Sequence, residues 1–479
     1  MDVRHPLGKS RHAGERSADL PEHNGGSIMV ASLSARTVFS RTLRLIGVVC
    51  LGGLGWTGCT LFSSDKAGGS GQVLYVSPTG DDQNAGTKRR PFASLQRARD
   101  AARTLRQVAP QAVTVRLLDG THFLREPLTL TPADSGTTFA AAPGAHPVVS
   151  GGVRVTGWRA RDERVWVADV PWLKGRAEPI TQLFVNGVRR PCARTPNEGA
   201  YFYSKRLTLG PGDPGQCLGL TYNKEDALPW IGQPGVRIAL FHNWVNSYNR
   251  VKSVDADKRR VTFARPAGIF FLGPEVRYYV ENSLEALDAP GEWYADCAQG
   301  RLYYYPTKDE PLARAEVIAP VLLSSLVAIS GDDARRAFVD RLAFRGLSFQ
   351  HADADLSPDY PHSVQGAHTQ RGAIFAKGLR FSVIEDCAFT RLGEHGVSLR
   401  EGCVSNAVRR CHFHDLGGGG VYLSEGSPAK TDGGYLTAYN TVDNNFIHDG
   451  GHIYRAACGV FLGGSASYNA ITHNEICDL

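Results

Sequence analysis

Side chains that could bind a hydroxyl-rich ligand lie close together near the end of this chain. They are His448, His452, Tyr454 and His473. Imidazole and phenol groups hydrogen-bond hydroxyls, and their rings can lie against one face of a sugar. His448 and His473 are 25 residues apart, which predicts that they stack about 4.8 Å apart if the chain coils at that period. These four are predicted substrate-binding residues; the alternative is that they are solvated residues at turns.

The elements that position them repeat about every 24 residues. Four segments carry apolar residues at both ends of a short strand with Cys or Asn between them: 384–389, 408–413, 442–447 and 471–476. The strands that follow open on Gly372, Gly396, Gly420 and Gly459, at intervals of 24, 24 and 39 residues. Fixed-period similarity with glycine-rich corners predicts a β-solenoid. A coil of this length fits a right-handed parallel β-helix.

Two kinds of small side chain recur at equivalent interior positions of the predicted coils. Asn445 and Asn474 are predicted to hydrogen-bond each other in a structural ladder. Cys387 and Cys411 are predicted to stack as free core thiols. The segment 351–355 offers too few oxygen ligands for Ca²⁺, and the sequence has no Cys-x-x-Cys motif for zinc. The sequence therefore predicts no metal and no cofactor.

The predicted fold class is all-β: a right-handed parallel β-helix (solenoid) with an N-terminal capping helix and an inserted antiparallel β-domain. The helix is expected at 91–106, where one apolar face would cover the open end of the first coil. Short strands at irregular spacing predict the inserted domain. The predicted organisation is an N-terminal extension and signal peptide at 1–58, a linker at 59–72, the cap and first coils at 73–157, the inserted domain at 158–336 and further coils at 337–479.

The N-terminal segment has the three parts of an export signal. Basic residues precede an apolar run at 45–58 that ends in small residues and is too short to span a membrane comfortably. The sequence Gly-Trp-Thr-Gly-Cys at its end resembles a lipobox, so Cys59 is the predicted lipidation site. Met29 is the expected true start. The predicted location is the periplasm, the outer membrane or the cell surface.

Charge and composition narrow the expected partners. The formal net charge of +6 is modest, and the sequence has no basic stripe with interleaved aromatic residues, so nucleic acid is not a predicted partner. A parallel β-helix most often grips long carbohydrate chains, so a polysaccharide or oligosaccharide is the expected partner. A membrane is expected only through a lipid on Cys59, and the chain is expected to be a monomer.

Several short motifs carry a resemblance to a known family. They are Tyr-Val-Ser-Pro-Thr-Gly-Asp-Asp at 75–82, Leu-Phe-Val-Asn-Gly-Val-Arg-Arg at 183–190, Ala-Arg-Thr-Pro-Asn at 193–197, Pro-Gly-Glu-Trp-Tyr at 290–294, Ile-His-Asp-Gly at 447–450 and Thr-His-Asn-Glu-Ile at 472–476. Over 73–479 the chain resembles the glycoside hydrolases of family 141 and their bacterial β-helix relatives. The resemblance implies activity on plant cell-wall glycans, with fucosidases and xylanases among the family's members.

The resemblance also implies where the catalytic groups belong. In that family two catalytic aspartates lie on coils downstream of the segment equivalent to 473–474. The chain is therefore expected to be a truncated form that holds the scaffold and part of the cleft. Its catalytic residues are unknown, with the carboxylate pair expected beyond residue 479. Because glycoside hydrolysis needs two carboxylates at a defined separation, this piece is expected to be inactive alone.

Two other functions stay open. A polysaccharide lyase of the pectate-lyase-like class would need Ca²⁺ bound by an acidic cluster with a Lys or Arg base opposite, and the sequence offers no convincing cluster. A non-catalytic surface carbohydrate-binding or adhesion protein would have regular coils without a deep cleft. The loops at 351–371, 427–439 and 450–458 instead predict a walled groove. Glu394 and His395 are expected at surface corners of the coils.

Overall fold

The computed structural model describes residues 71–479 apart from short gaps. The gaps are residue 110, residue 212, 269–274, residue 309, residue 313, 333–334, 358–363 and 425–435. The export signal, Met29 and Cys59 lie outside the described residues, so what the sequence predicts for them stays a prediction. Within the described ranges, no helix is long and apolar enough to cross a bilayer.

Three parallel sheets run along the coil, and each full turn of the chain adds one strand to each sheet. Sheet 1 contains Gln72–Val76, Val113–Leu117, Thr137–Ala141, Ala343–Arg345, Val383–Glu385, Ala407–Arg409, Thr441–Asp443 and Ala470–Thr472. Sheet 2 contains Thr121–Phe123, Val148–Ser150, Ser348–Gln350, Ala388–Leu392, His412–Leu416, Phe446–Ile447 and Glu475–Ile476. Sheet 3 contains Leu128–Leu130, Val327–Ser330, Gly372–Lys377, His395–Leu399, Val421–Ser424 and Val460–Gly463. Neighbours in space are successive coils in sequence, so the predicted β-helix is confirmed.

Apolar side chains stack in the interior at every turn. Phe349, Phe389 and Phe413 occupy the same register on three successive coils of sheet 2, with ring centroids 5.1 and 4.7 Å apart. All three are buried, and burying one such side chain contributes roughly 1.5–3 kcal/mol. A slip of one residue would turn these rings outward, so the interior stack fixes the alignment of the coils.

Amides and thiols fill other interior positions, as predicted. Asn445 Nδ2 donates to Asn474 Oδ1 at 2.8 Å, and Asn445 Oδ1 accepts from the backbone N–H of Cys411 at 2.9 Å. Cys387 and Cys411 are buried free thiols on successive coils. The asparagine ladder and the stacked core cysteines are both confirmed.

The chain turns its corners through residues in the left-handed backbone region. At the end of sheet 2 the equivalent residues on successive coils are His351, Arg391, Asp415, Asp449 and Asp478, with φ between 50° and 60°. Aspartate tolerates this conformation better than most side chains. The repeated corner therefore sets the carboxylates of Asp415 and Asp449 on adjacent coils at one edge of the β-helix.

The one α-helix among the described residues, Leu95–Val108, covers the first coil. Ser94 caps its start, with an extended backbone and a side chain that accepts from a backbone N–H of the first turn. The buried face of the helix consists of Leu95, Ala98 and Ala102. The capping role is confirmed, and the predicted span of 91–106 begins too early because Ser94 ends the extended entry segment.

The inserted domain leaves the coil between sheets 2 and 3 and is built of antiparallel strands, as predicted. One sheet contains Gly152–Arg154, Leu183–Val185, Val188–Arg190 and Val317–Pro320, and a second contains Arg159–Ala160, Trp166–Asp169, Trp293–Asp296 and Arg301–Tyr304. The largest contains Arg194–Thr195, Phe202–Tyr203, Arg206–Gly210, Asp213–Thr221, Arg237–Phe241, Asn246–Asp255, Arg260–Gly268 and Arg277–Glu281. Short 3₁₀ turns lie at Pro132–Asp134, Pro171–Leu173, Lys224–Asp226, Leu284–Ala286 and Gln365–Ala367, and a short parallel pair joins Val339–Asp340 to Leu379–Arg380.

Two long loops leave the coil at the same corner as the inserted domain. The loop 351–371 connects a strand of sheet 2 to one of sheet 3, and the loop 448–459 does the same on a later coil. The segment 427–439 lies mostly outside the described residues and instead connects sheet 3 to sheet 1. Two of the three loops that were predicted to wall a groove therefore leave the coil at one corner with the inserted domain, and the part of the prediction that concerns 427–439 stays a prediction.

Replacing Asn445 by Ala tests the interior ladder. The backbone N–H of Cys411 and the carbonyl of Val408 would lose their side-chain partners. Because an unsatisfied buried polar group costs about 1–3 kcal/mol, we expect the free energy of unfolding to fall by about 2 kcal/mol in urea titrations. Asn444→Gly is the control, since Asn444 is exposed with φ 54° and Gly tolerates that backbone. Equal stability of the two variants would contradict the structural role.

Candidate functional site

Arg189 joins the inserted domain to the corner between sheets 2 and 3. Its Nε donates to Asp415 Oδ1 at 2.5 Å, and its Nη2 donates to the carbonyls of Leu392 and Asp415 at 3.0 and 2.9 Å. The Arg189 and Asp415 side chains are 16% and 15% exposed. One guanidinium thus binds a carboxylate and two carbonyls on adjacent coils, which the planar fork of arginine allows.

Asp353 provides a second anchor from the coil to the inserted domain. It is 1% exposed and accepts from Thr181 Oγ1 at 2.6 Å and from Gln182 Nε2 at 3.0 Å. Burial raises the pKa of Asp353, and the hydroxyl and amide donors oppose that rise. The carboxylate that drew attention as a possible calcium ligand is therefore engaged in holding the domain.

Asn246 and Tyr248 of the inserted domain clamp the loop 448–459. Asn246 Nδ2 and the Tyr248 hydroxyl both donate to the carbonyl of Ile453, at 3.0 and 3.2 Å, and the backbone N–H of Arg455 donates to Asn246 Oδ1 at 2.9 Å. Apolar side chains from both sides pack together at this join: Ala239, Phe241, Tyr248, Tyr279, Ala354, Leu356, Ala367, Ile453 and Tyr454. The domain and the coil loops therefore share a small core that fixes the space between them.

A cleft with a volume of about 220 Å³ opens between these anchors. The inserted domain forms one wall, and Leu356 with the segment around Ile453 forms the other. Five arginines line it: Arg189, Arg190, Arg194, Arg237 and Arg455. Two glutamates, Glu198 and Glu281, also line it. The lining is rich in hydrogen-bond donors, which suits a ligand that presents oxygen atoms.

An ion pair and a cation–π contact order part of the cleft wall. Arg237 Nη2 lies 2.9 Å from Glu281 Oε1, with both side chains buried. Burial works against the charge of Arg237, but the Glu281 carboxylate outweighs it and the pKa of Arg237 lies above its ordinary value. The Arg194 guanidinium lies 3.6 Å from the ring centroid of Tyr279. Burial raises the pKa of Tyr248 and of Tyr279, so both phenols stay protonated at neutral pH.

Among the four predicted binding residues, His452 lies in the lining of the cleft. Its Nε2 is 2.9 Å from Asp449 Oδ1 and 3.8 Å from Asp415 Oδ1. Burial lowers the pKa of His452, and the Arg189 guanidinium lowers it further, so the ring is expected to be neutral at pH 7. These three side chains bring possible metal-ligand atoms within 4.8 Å of one another. Arg189 already pairs with Asp415, however, and its positive charge opposes a cation there.

The predicted stacking of His448 on His473 is wrong. The coil that separates them is 29 residues long, and the register of sheet 2 places Cys477 beside His448. His473 lies at the corner that follows sheet 1, where its side chain is 81% exposed and Nδ1 is 2.8 Å from Asp443 Oδ1. A substrate-binding role for His473 stays a prediction, away from the cleft lining.

His448 belongs to a group of rings on sheet 2. Its Nε2 lies 2.8 Å from His412 Nε2, and its ring centroid lies 5.6 Å from that of His414 and 4.3 Å from that of Phe446. Burial lowers the pKa of both His412 and His414, and repulsion between neighbouring imidazoles adds to the effect. These two imidazoles are therefore expected to be largely neutral at pH 7, and the role of His448 in sugar binding stays a prediction.

Tyr454 supports the join and offers little surface to a ligand. It is 1% exposed, and its hydroxyl donates to the carbonyl of Asp355 at 3.1 Å and to Glu394 Oε1 at 3.4 Å. A substrate-binding role for Tyr454 stays a prediction, and in this structure its ring is enclosed. Glu394 and His395 are also fully buried, which corrects their predicted place at surface corners.

Two parts of the chain match known protein families. Residues 163–307 match the GH141 insertion domain, and residues 366–476 match the right-handed β-helix region. The chain is a parallel β-helix protein with a GH141 insertion domain. The cleft lies between these two parts, with Arg189, Arg194 and Arg237 in the GH141 insertion domain and His452 and Arg455 in the β-helix region. The resemblance to glycoside hydrolase family 141 is thereby confirmed.

One solved structure shares this fold. One named "Glycoside hydrolase" superimposes with a TM-score of 0.71 over 85% of this chain and 78% of that chain, at 24% identity, which shows a common fold. "The complex structure of XylC with xylose" has a TM-score of 0.48 over 85% of this chain and 59% of that one, at 14% identity. The Bacillus subtilis (strain 168) protein "Uncharacterized protein YwoF" is 39% identical over 88 residues, which span 17% of this chain and only 16% of that protein.

The cleft arginines were not predicted from the sequence as site residues. Arg189, Arg190 and Arg194 lie within the motifs at 183–190 and 193–197, which carried the family resemblance. Those motifs could have indicated site residues, because an Asn-Gly turn is enough to form the hairpin and does not require the two arginines that follow it. Arg237 and Arg455 had no comparable signal, since only the fold brings them to the same cleft.

Replacing Arg189 by Met tests the anchoring of the GH141 insertion domain. The change leaves Asp415 largely buried without its partner, so we expect a loss of roughly 1–3 kcal/mol in the free energy of unfolding. Hydrogen exchange at 452–455 should also become faster. Arg159→Met is the control, because the Arg159–Asp169 pair is about half exposed and such pairs contribute at most about 1 kcal/mol. Unchanged exchange at 452–455 in Arg189→Met would contradict the anchoring role.

Glu394 predicts a pH dependence of stability. Burial raises the pKa of Glu394 to about 7, although backbone N–H groups of Arg371 and Asp355 oppose the rise. Because this pKa lies above the unfolded value of about 4.3, the folded state favours the protonated form. The contribution of Glu394 to the free energy of unfolding is complete below about pH 4.3 and is lost as pH rises from there through 7.

The Glu394→Gln variant isolates this contribution from other titrating groups. We expect the melting temperature of the wild type to fall relative to that of Glu394→Gln as pH rises from 4.5 to 7.5, measured by calorimetry. Glu163→Gln is the control, since Glu163 is exposed and its profile should run parallel to that of the wild type. A parallel profile for Glu394→Gln as well would show that Glu394 titrates near its ordinary pKa.

Proposed function

We propose that the chain binds a complex polysaccharide, of plant type or otherwise, in the cleft and forms the scaffold of a glycoside hydrolase. The observation that carries the proposal is the joint construction of the cleft by the GH141 insertion domain and the coil corner. Two long loops and the domain rise from one corner, so a chain lying along the β-helix would meet a wall of donors there. Such placement of a few polar groups in a concave site is typical of ligand clefts.

The chemistry of the lining supports a sugar as the ligand. The neutral imidazole of His452 and the guanidinium of Arg455 can hydrogen-bond hydroxyl oxygens. The Tyr248 and Tyr279 rings add apolar surface beside them. The volume of about 220 Å³ is below the roughly 300–1,000 Å³ usual for small-molecule pockets. That size favours one ring of a longer chain over a whole oligosaccharide.

The catalytic step needs two carboxylates at a defined separation, and Glu198 is the one carboxylate of the described cleft lining that has no ion-pair partner. Glu281 is committed to Arg237 at 2.9 Å, and Asp415 is committed to Arg189 at 2.5 Å. The catalytic acid and base are therefore not assigned to residues of this cleft, and binding of the polysaccharide is the part of the function that the cleft supports.

Two alternatives make different predictions. A lyase would require an unprotonated Arg or Lys base, and the raised pKa of Arg237 makes it a poor one. A non-catalytic adhesion module remains the alternative if the protein binds glycans and releases no sugar from them. The proposal keeps the chain exported, with lipidation at Cys59 as its attachment to the envelope and a monomer as its working state.

His452→Ala tests the site directly. We expect the dissociation constant for a bound polysaccharide to rise about 5–10-fold, because a hydrogen bond contributes about 0.5–1.5 kcal/mol. Affinity electrophoresis in gels containing xylan or fucosylated glycans measures the change. His146→Ala is the control, since His146 is exposed near the capped end, and melting temperatures establish that both variants fold. The proposal fails if no glycan retards the wild type or if both variants bind alike.

A further inference from the structure

The charge of the cleft is more positive than a neutral sugar requires. Of its five arginines, Arg189 pairs with Asp415, Arg190 with Glu310 and Arg237 with Glu281. The guanidinium groups of Arg194 and Arg455 form no ion pair with a carboxylate of the residues that the structure describes, although the backbone N–H of Arg194 donates to Glu292 Oε1 at 3.3 Å. Glu198, the other acidic group of the lining, is exposed. The cleft therefore keeps a surplus of guanidinium groups after its internal ion pairs are counted.

Arg237 has donors that the protein does not use. Its side chain is 2% exposed, and Nη2 is engaged with Glu281. Nε and Nη1 are buried and have no hydrogen-bond partner within the described part of the chain. Leaving a buried donor unsatisfied costs about 1–3 kcal/mol and more for a charged group. Arg237 lines the cleft, so an acceptor oxygen placed at its inner end would satisfy donors that are otherwise orphaned.

Arg194 and Arg455 also line the cleft, so they can contact the same ligand as Arg237. Arg194 donates from Nε to the carbonyl of Pro196 and from Nη2 to that of Ala200, both at 2.8 Å, and it lies against the Tyr279 ring. These contacts fix its plane. Arg455 is exposed at the edge of the cleft, and only its backbone is tied, through Asn246. The guanidinium groups of Arg194 and Arg455 thus line the same cleft as Arg237.

We propose that the cleft selects an acidic sugar, a hexuronic acid residue within a polysaccharide, and that its carboxylate is bound by the arginines of this cleft. The planar fork of arginine matches a carboxylate in two parallel hydrogen bonds. Burial keeps the Tyr248 and Tyr279 hydroxyls protonated by raising the pKa of each, so they do not repel the anion. The inference deepens the proposed function and rests on it, because it presumes that the cleft holds a glycan.

Calorimetric titration of the chain with two matched oligosaccharides tests the proposal. Oligogalacturonate carries the carboxylates, and its fully methyl-esterified form has the same backbone without the charge. We expect the acid to bind at least tenfold more tightly than the ester at low salt. Because the attraction is between charges, the preference should shrink as NaCl is raised.

Two variants separate charge from geometry. Arg455→Gln removes the cation at the cleft edge and should weaken acid binding about tenfold while the ester is unaffected. Arg237→Lys keeps a cation for Glu281 but removes the planar donors, so it should also weaken acid binding selectively. Arg164→Gln is the matched control, since Arg164 is exposed elsewhere in the GH141 insertion domain, and it should bind both ligands like the wild type.

Each outcome has a distinct meaning. Equal binding of acid and ester would overturn the uronate proposal and leave the glycan-binding proposal standing. Binding of inorganic phosphate or of a sulfated oligosaccharide as tightly as the uronate would overturn carboxylate selection in favour of a general anion site. Failure of every glycan in the panel, neutral or acidic, would overturn the proposed function itself. Selective loss in Arg455→Gln and Arg237→Lys, with both variants folded, would support the assignment.

Discussion

Every coil of this protein must return to the same position beside its predecessor, and the rest of the structure depends on that constraint. The parallel backbone ladders require it, and the interior stacks enforce it, because Phe389 lies 4.7 Å from Phe413 and Asn445 bonds Asn474. A coil can therefore gain residues only where the chain leaves and re-enters at fixed points. Those points are the corners, where residues in the left-handed region already break the strands.

The cleft and its anchors lie at one corner of the β-helix. The GH141 insertion domain and the loops 351–371 and 448–459 leave between sheets 2 and 3, so they stack on one another as the coils stack. Arg189 and Asp353 then tie the domain to that edge through hydrogen bonds at 2.5–3.0 Å. The anchors are internal ion pairs and hydrogen bonds, and the surplus guanidinium groups are left facing the cleft.

The interior and the edge also differ in how they treat ionisable groups. Deep groups such as Glu394 and His395 have pKa values shifted by burial toward the neutral form, to about 7 and about 3 respectively. Glu394 accepts a hydrogen bond from the backbone N–H of Arg371, and His395 Nε2 hydrogen-bonds the carbonyl of Ala367. The cleft itself keeps cations at its surface, where a ligand can reach them. The buried polar groups therefore stabilise the fold, and the arginines of the cleft are available to a ligand.

The sequence by itself determined the solenoid, the capping helix, the inserted antiparallel domain and the interior ladders, because a period and a pattern of apolar, Asn and Cys residues are local signals. The predicted stacking of His448 on His473 was wrong, because one coil is 29 residues long and a shift of a few residues moves a side chain to another face. Only the tertiary structure decided the cleft. Arg189 in its wall is anchored by Asp415, which is 226 positions away in the sequence, and no sequence pattern records which distant arginines meet around one space.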